Sequence, residues 1–460
     1  MNRTQQIQND ILSTTPLTDD YYMKLISFIL ITLFTGCLNG QEKQNVDLAE
    51  YITGRAAELK TSDDLDQLIE SAGTKKLVML GESTHGTSEY YFWRSEISKR
   101  LIAEKGFSFI VVEGDWASIY RLNKYVKDLP GALKTASDVV KTFNRWPEWM
   151  WANEEIVELA EWLRSFNDEL PIEKKIGFYG LDVYGQWDAM QKLIDYAETE
   201  LPDDYEIIKA NLECFLAYGY DEWQYARAVT QRGNSCEPQL NEVVDLLKAK
   251  AEVLRTIDKK KYFYAKQNAL VVKNAEEYYR LAIRDGTDSW NSRVYHMDYT
   301  ITRLLDYYGN DSKGIVWAHN THIGDAGATS MFQQNMVNIG HLKRNELGRE
   351  NVFLVGFSTY TGNVMAGSQW GARRQVMDIP KGQPGSIEAL LNKVEKDSYY
   401  LMFTEDDRNN DELMQLRGHR AIGVVFNPTF EIRNYVPTIL PERYDAFIFF
   451  RETKALTPVD

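Results

Sequence analysis

Four short stretches carry the residues whose types and spacing could do chemistry, and each follows an apolar run of strand length. Glu82 and His85 stand in Gly81-Glu82-Ser83-Thr84-His85-Gly86, Glu113 and Asp115 in Glu113-Gly114-Asp115-Trp116, Asp182 directly after Leu181, and His319 and His322 in His319-Asn320-Thr321-His322. A lone histidine is more often structural than catalytic, but three of the chain's six sit at expected strand tips beside carboxylates. Two chemistries fit. In one, a histidine whose tautomer is held by a carboxylate takes a proton from water, which attacks an acyl carbon; such a base contributes roughly 10²–10⁴ in rate. Arg94 and a second histidine would then stabilise the oxyanion. In the other, His85, Glu113, His319 and His322 hold a divalent metal that acidifies a bound water. The spacing leaves both open. No serine stands in a GxSxG elbow, and no GxGxxG or P-loop sequence occurs, so covalent acyl transfer and nucleotide chemistry are disfavoured.

The elements that must position these residues follow from the apolar pattern. Residues 77–80 form a buried-type strand, and Gly81 and Gly86 bracket the loop after it. Thr87 and Ser88 can cap a helix whose stripe is Tyr90, Trp93, Ile97 and Leu101, ending at Gly106. Arg94, beside that stripe, can point back toward the loop. Strands are expected at 107–112, 175–181 and 314–318; a strand–helix–strand unit makes a right-handed crossover with parallel strands. The four tips should then share one rim, where ligands bind in open parallel sheets. From 186 to 308 the pattern is almost wholly helical, which implies an inserted helical subdomain, its last helix carrying Trp290, Asn291 and Arg293. Further strands are expected at 352–357, 399–403, 421–426 and 446–449, with a helix at 386–394.

The expected fold is therefore α/β: a mainly parallel sheet flanked by helices, with the all-helical insertion and a small α+β unit near the C-terminus. The catalytic frame takes 47–185, 309–357 and 431–455, and the small unit 358–430. Substrate-binding candidates are Asp115, Trp116, Trp149, Trp151, Asp182, Trp290, Asn291 and Arg293; Trp149 and Trp151 come from a tryptophan-rich stretch that could cover a ligand. His296, His341 and His419 lie outside the tips and are expected to be structural or surface residues.

A net charge of −15 argues against a nucleic-acid partner. Three cysteines, Cys37, Cys214 and Cys236, make neither a disulfide framework nor a thiolate metal site, and a bond between the last two is left open. Residues 23–37 have a basic start, an apolar stretch too short to span a bilayer and small residues before Cys37, and so resemble a bacterial lipoprotein signal. On that reading 1–22 is an upstream artefact, Cys37 is the lipidated first residue, and 38–46 is a tether. The location is then the cell envelope, lipid-anchored or periplasmic, with membrane contact only through the lipid.

Taken together, GESTHG at 81–86, Arg94, VEGDW at 112–116, the WPEWMW segment, FYGLDVY at 178–184, WNSR at 290–293 and AHNTHIGDA at 318–326 resemble the erythromycin esterase family, in order over roughly 48–452. The resemblance implies an α/β domain with a helical insertion and hydrolysis of the ester in a macrolide lactone, an antibiotic-resistance reaction. It carries functional positions onto Glu82, His85, Arg94, Glu113, His319 and His322, with His85 as the water-activating base. No cofactor is implied as required, and a divalent metal stays open. One departure is Val294-Tyr295-His296, where the family has an acidic residue and a polar helix. The partner implied is a small-molecule ester or lactone. Two other readings are a metal-dependent envelope hydrolase of another ester or amide, and a non-catalytic ligand-binding lipoprotein.

Overall fold

Short runs in which every residue is apolar become strands covered on both faces, and the side chains of each strand divide alternately between two cores. The computed structural model describes residues 47–459. The signal-type segment 23–37 with Cys37, the stretch before it and the tether 38–46 lie outside the described residues. In chain order the strands are β1 (Ala57–Glu58), β2 (Leu77–Leu80), β3 (Phe109–Asp115), β4 (Gly177–Asp182), β5 (Gly314–Trp317), β6 (Val352–Ala366), β7 (Gln375–Ile379), β8 (Ser398–Met402), β9 (Arg417–Arg420), β10 (Tyr435–Thr438) and β11 (Ala446–Thr453). Leu77, Met79, Phe109, Val111 and Val316 face one apolar core, and Val78, Leu80, Ile110, Val112 and Trp317 face the other.

A nine-stranded sheet has the order β1-β8-β11-β6-β2-β5-β3-β4, with β7 paired to the far end of β6. From β4 across to β11 neighbouring strands are parallel, whereas β8 and β1 add antiparallel at one edge. The fold is thus α/β with a mainly parallel central sheet flanked by helices, and β9–β10 form a small antiparallel sheet near the C-terminus. After β2 the chain moves outward to β3 and β4, returns to insert β5 between β3 and β2, and then continues on the other side of β2 with β6. The order reverses there, and such a switch point opens a crevice at the carboxyl ends of the strands.

Register aligns the tips. Leu80 pairs with Trp317, Trp317 with Val112 and Val112 with Gly180. Between Val112 and Asp115 the β3–β4 register slips, because three steps along β3 match two along β4. This bulge carries Glu113 and Gly114 and leaves the ladder locally unpaired. Gly180 makes it possible: a Cβ there would lie 2.4 Å from Gly114 O and 2.5 Å from Asp115 O.

Between β4 and β5 the chain is entirely helical, the longest helices being Ala251–Ala282 and Gly286–Tyr308. A disulfide joins Cys214 to Cys236 within it, a pairing the sequence had left open. Residues from Asp47 onward form one compact unit. None of the described helices is long and apolar enough to cross a membrane.

One expectation differs in the C-terminal third. Residues 421–426 do not form a strand. Their hydrogen bonds are divided between two separate segments, Ile422 N–H donating to Ser83 O while Gly367 and this stretch exchange bonds at Val424 and Phe426. No continuous ladder can form from such split partners. The strands near 358–430 are shared between the two sheets: β6 runs unbroken through 357 and β8 pairs with β11 in the main sheet, while β9 pairs with β10 in the small one.

Candidate active site

At the rim the loop after β2 turns back on itself because Gly81 and Gly86 let it lie against its neighbours. A Cβ on Gly81 would meet Asn320 Oδ1 at 2.1 Å, and one on Gly86 would meet Met365 O at 2.0 Å. Asn320 is fully buried and ties the tips of β2, β5 and β6: its N–H donates to Glu82 O at 2.8 Å and its Nδ2 to Phe357 O at 2.7 Å.

Within this frame Glu82 bridges a histidine and an arginine. His85 Nδ1 lies 2.9 Å from Glu82 Oε1, and Arg94 Nη2 donates to Glu82 Oε2 at 2.8 Å. Arg94 is fully buried, its guanidinium 4.3 Å from the Tyr91 ring centroid and 4.7 Å from that of Trp317. It stands behind Glu82, is not among the residues lining the cavity, and positions the carboxylate. With the carboxylate holding Nδ1–H, Nε2 is the ring nitrogen left as a base.

Across the rim Arg293, from helix Gly286–Tyr308, is the central cation. It donates to Asp182 at 2.6 and 2.9 Å and to Glu113 Oε1 at 2.7 Å, and its Nη1 lies 3.1 Å from His322 Nε2. A guanidinium can only donate, so His322 Nε2 accepts there. The second oxygen of Glu113 accepts from the His319 backbone N–H at 2.8 Å. The His319 ring lies 4.9 Å from that of His85; its Nδ1 accepts from Thr321, and its Nε2 has no partner among the described residues.

Burial opposes charge on all three rings, with different outcomes. In His85 the hydrogen bond to Glu82 and the charges of Glu113 and Glu82 outweigh burial and hold the pKa above its ordinary value. Burial, reinforced by His85, pushes His319 well down. Burial lowers His322 as well, against the pull of Glu113. Burial would raise Glu113, but His322, His85 and Arg293 hold its carboxyl well below the usual range.

These groups open on a cavity of about 210 Å3 lined by His85, Glu113, Asp115, Asp182 and Arg293, with Phe143, Met150, Trp151, Val424 and Trp370 as its apolar wall. Arg145 lies 3.6 Å from Asp115, and its guanidinium and that of Arg293 both stand over Tyr184, at 4.2 and 5.1 Å.

Of the sequence candidates, Glu82, His85, Glu113, His319, His322, Asp182 and Arg293 come together, and Asp115 and Trp151 join them on the cavity wall. Trp116 does not: it is buried and stacked on Tyr179 at 5.5 Å. Trp149 is likewise fully enclosed in the core. Asn291 holds the loop at Asn335 and Val337, and Trp290 stacks on His322 at 4.4 Å with its N–H on Val337 O; both act behind the site. Sequence reasoning missed Arg145, Tyr184, Asn320 and Trp370. Arg145 flanks the tryptophan-rich segment, Tyr184 and Asn320 lie inside motifs it had singled out, and Trp370 carries no local signal.

For a metal, Glu82, His85 and Glu113 offer donor atoms within 4.8 Å of one another. Both oxygens of each carboxylate already accept hydrogen bonds, and Arg94 and Arg293 supply the compensating charge. A dication would add charge to a cluster already neutralised, so the donor set fits one poorly. The sequence set of His85, Glu113, His319 and His322 fits no better, since Arg293 donates to both Glu113 Oε1 and His322 Nε2, which lie 3.3 Å apart, and so claims those donor atoms.

The erythromycin esterase family model matches residues 102–453. The match starts downstream of Glu82, His85 and Arg94, which the sheet brings to the matched residues. An erythromycin esterase type II from Escherichia coli is 22% identical over 351 residues, covering 72% of this chain and 81% of that protein. Three solved structures share the fold. A protein from Bacillus cereus has a TM-score of 0.75 at 19% identity, covering 90% of this chain and 98% of its own. A succinoglycan biosynthesis protein scores 0.73 at 23%, covering 89% and 97%. A mutant erythromycin esterase, EreC, in its open conformation scores 0.62 at 17%, covering 88% and 99%.

Proposed function

We infer the reaction from one premise: the chain belongs to the erythromycin esterase family, which makes it a hydrolase acting on esters. We propose that it opens a carboxylic ester, the lactone of a macrolide such as erythromycin, with water activated at His85. The observation that carries this reading is the chain of contacts Arg94–Glu82–His85 facing a cavity with Arg293 on its wall. His85 Nε2 takes a proton from water as the oxygen attacks the acyl carbon; Glu82 keeps Nδ1–H in place and stabilises the imidazolium. The bond to the ester oxygen then breaks, and His85 returns the proton to the leaving alkoxide. Arg293 faces the developing oxyanion, and His319 Nε2–H, next to His85, is a second donor for it or for the water. Glu113 stays ionised and holds Arg293 in place. Asp115, Tyr184 and Arg145 line the polar side of the cavity, and the exposed ring of Trp370 extends the apolar wall outward for the body of a macrocycle.

The metal-dependent alternative has one observation in its favour, the Glu82–His85–Glu113 donor cluster. A ligand-binding protein without catalysis has none beyond the cavity itself. For location, the Cys214–Cys236 disulfide supports an oxidising compartment and so the cell envelope proposed from the leader, with Cys37 as the lipid-bearing residue.

Incubating the full chain with a panel of macrolides and simple esters, with mass detection of a one-water gain, tests the reaction. Ring opening is expected, undiminished by a chelator, and slower by roughly 10²–10⁴ in His85→Ala. Unchanged turnover in that variant removes His85 from the reaction. Loss on chelation with recovery on adding a divalent ion favours the metal reading.

A further inference from the structure

Away from the cleft, the helical layer concentrates positive charge that ester hydrolysis does not use. A cavity of about 340 Å3 opens between helices Ala251–Ala282 and Gly286–Tyr308, lined by Arg255, Lys259, Lys266 and Arg303 together with Tyr262, Phe263 and Tyr307. Cations elsewhere on the same helix do find carboxylates: Lys261 pairs with Glu200 at 2.6 Å and Arg280 with Glu276 at 2.9 Å. The four in the cavity form no ion pair among the described residues. Arg303 donates to Gln267 Oε1 at 3.1 Å, Lys259 donates to Tyr307 O at 3.1 Å, and Arg255 lies 5.5 Å from the Tyr262 ring centroid. Asp306, the one carboxylate on the wall, is exposed, as are Arg255 and Lys259, and lies at ion-pair distance from none of the four.

A second cavity of about 230 Å3 adjoins the first, sharing Lys259, Phe263 and Tyr307. It contains Lys127, whose ammonium donates to Tyr308 Oη at 2.7 Å and also meets no carboxylate at ion-pair distance. Glu173 lies on its outer wall, and nearby Asp258 accepts from the N–H groups of Lys260 and Lys261. Burial without a counter-ion shows in the protons. It brings Arg303 down to about 10 and, with Lys260 and Lys175 adding to it, Lys127 to about 7. Lys266 is lowered by burial and then by Arg303 and Arg255. A cluster of like charges with no partner raises the free energy of the site, and a bound anion would relieve it. In a chain of net charge −15 such a cluster does not reflect a generally basic surface.

We propose that the joined cavities bind a small molecule carrying an oxyanion, phosphate or carboxylate, on a flat ring. The oxyanion sits between Arg303 and Lys266, where a guanidinium fork matches two oxygens. The ring lies against Phe263 and Tyr307 toward Lys127. Arg303 is ten residues, about 15 Å along one helix, from Arg293, so this site is distinct from the cleft.

Calorimetric titration of the full chain at low salt tests the site, with phenyl phosphate and benzoate as probes and inorganic phosphate and benzyl alcohol as their charge-only and ring-only counterparts. At least one ring-bearing anion is expected to bind tenfold or more tightly than either counterpart, and which of the two does so separates a phosphate site from a carboxylate site. Arg303→Gln and Lys266→Met are each expected to weaken that binding at least tenfold, Arg303→Lys to restore part of it, and Lys209→Gln, on an exposed helix face, to leave it unchanged. Far-ultraviolet circular dichroism and thermal midpoints identify a misfolded variant, and the remaining one then decides. Equal weakening by Lys209→Gln, no effect of Arg303→Gln and Lys266→Met, binding lost in Arg145→Gln alone, or no binding at millimolar ligand overturns the proposal. The titration is repeated on His85→Ala, so its outcome does not depend on the ester chemistry.

Discussion

His85 and His319 stand ring to ring, yet their environments push their protons in opposite directions. Glu82 is hydrogen-bonded to the His85 ring and Glu113 adds its charge, whereas at His319 burial and His85 outweigh the pull of Glu113. When two titrating groups are this close, one is charged at the other's expense. The base form of His85 is the active one, so kcat/KM is expected to rise with pH through a value above the ordinary histidine range. Glu82→Gln keeps an amide oxygen for Arg94 but removes the charge that raises His85. In that variant the acid limb of kcat/KM against pH is expected to move toward lower pH and the plateau to fall. A limb that stays in place would show that Glu82 does not set the proton affinity of His85. Arg293 is the residue whose local sequence says least about it: its partners Glu113 and Asp182 lie 180 and 111 positions away.

At the scale of the element, the bulge in β3 decides where Glu113 points. The bulged backbone at Gly114 and Asp115 lies so close to Gly180 on β4 that only a missing Cβ admits it. Gly180→Ala must therefore move main chain, not the end of a flexible side chain. It is expected to cost about 1–3 kcal/mol, the usual range for overpacking, and to lower kcat more than that loss alone explains, because Glu113 and Arg293 shift with the strand. Gly54→Ala, on an open helix face where nothing lies within 4 Å, is the control and is expected to be neutral or slightly stabilising. Equilibrium denaturation alongside steady-state kinetics checks both. The strands themselves were legible because a run such as Leu77–Leu80 needs two covered faces, and only an interior sheet supplies them. Residues 421–426 were misread for the same reason: their apolar pattern is that of a strand, but their hydrogen-bond partners belong to segments that do not run together.

Over the whole molecule, several histidines are buried in neutral form, and this sets how acid affects stability. His296 accepts from Asn274 Nδ2 at 2.8 Å, and burial pushes its pKa down to about 3. His419 is pushed well down by burial and by Arg443. An unfolded chain binds a proton at each below about pH 6.5, whereas the folded protein does not until far lower pH. The contribution of His296 is therefore complete above about pH 6.5 and declines as pH falls toward 3. In His296→Gln the unfolding free energy measured between pH 4 and 6 is expected to depend on pH less steeply, by one proton, or about 1.4 kcal/mol per pH unit. An unaltered slope would mean that His296 is already protonated in the folded protein.

The sequence by itself determined the parallel frame, the four acidic and imidazole tips and the family, because strand period, crossover handedness and loop glycines are local properties that a right-handed α/β fold turns into one rim. It also placed Glu82 next to His85, three positions away on the same loop. Only the tertiary structure decided that Arg94 stands behind Glu82 while Arg293 faces the cavity, that Trp116 and Trp149 are core while Trp151 is wall, and that Cys214 meets Cys236. Those outcomes depend on which faces of distant helices pack against the sheet, and burial and charge pairing across more than a hundred residues leave no periodic trace in the chain.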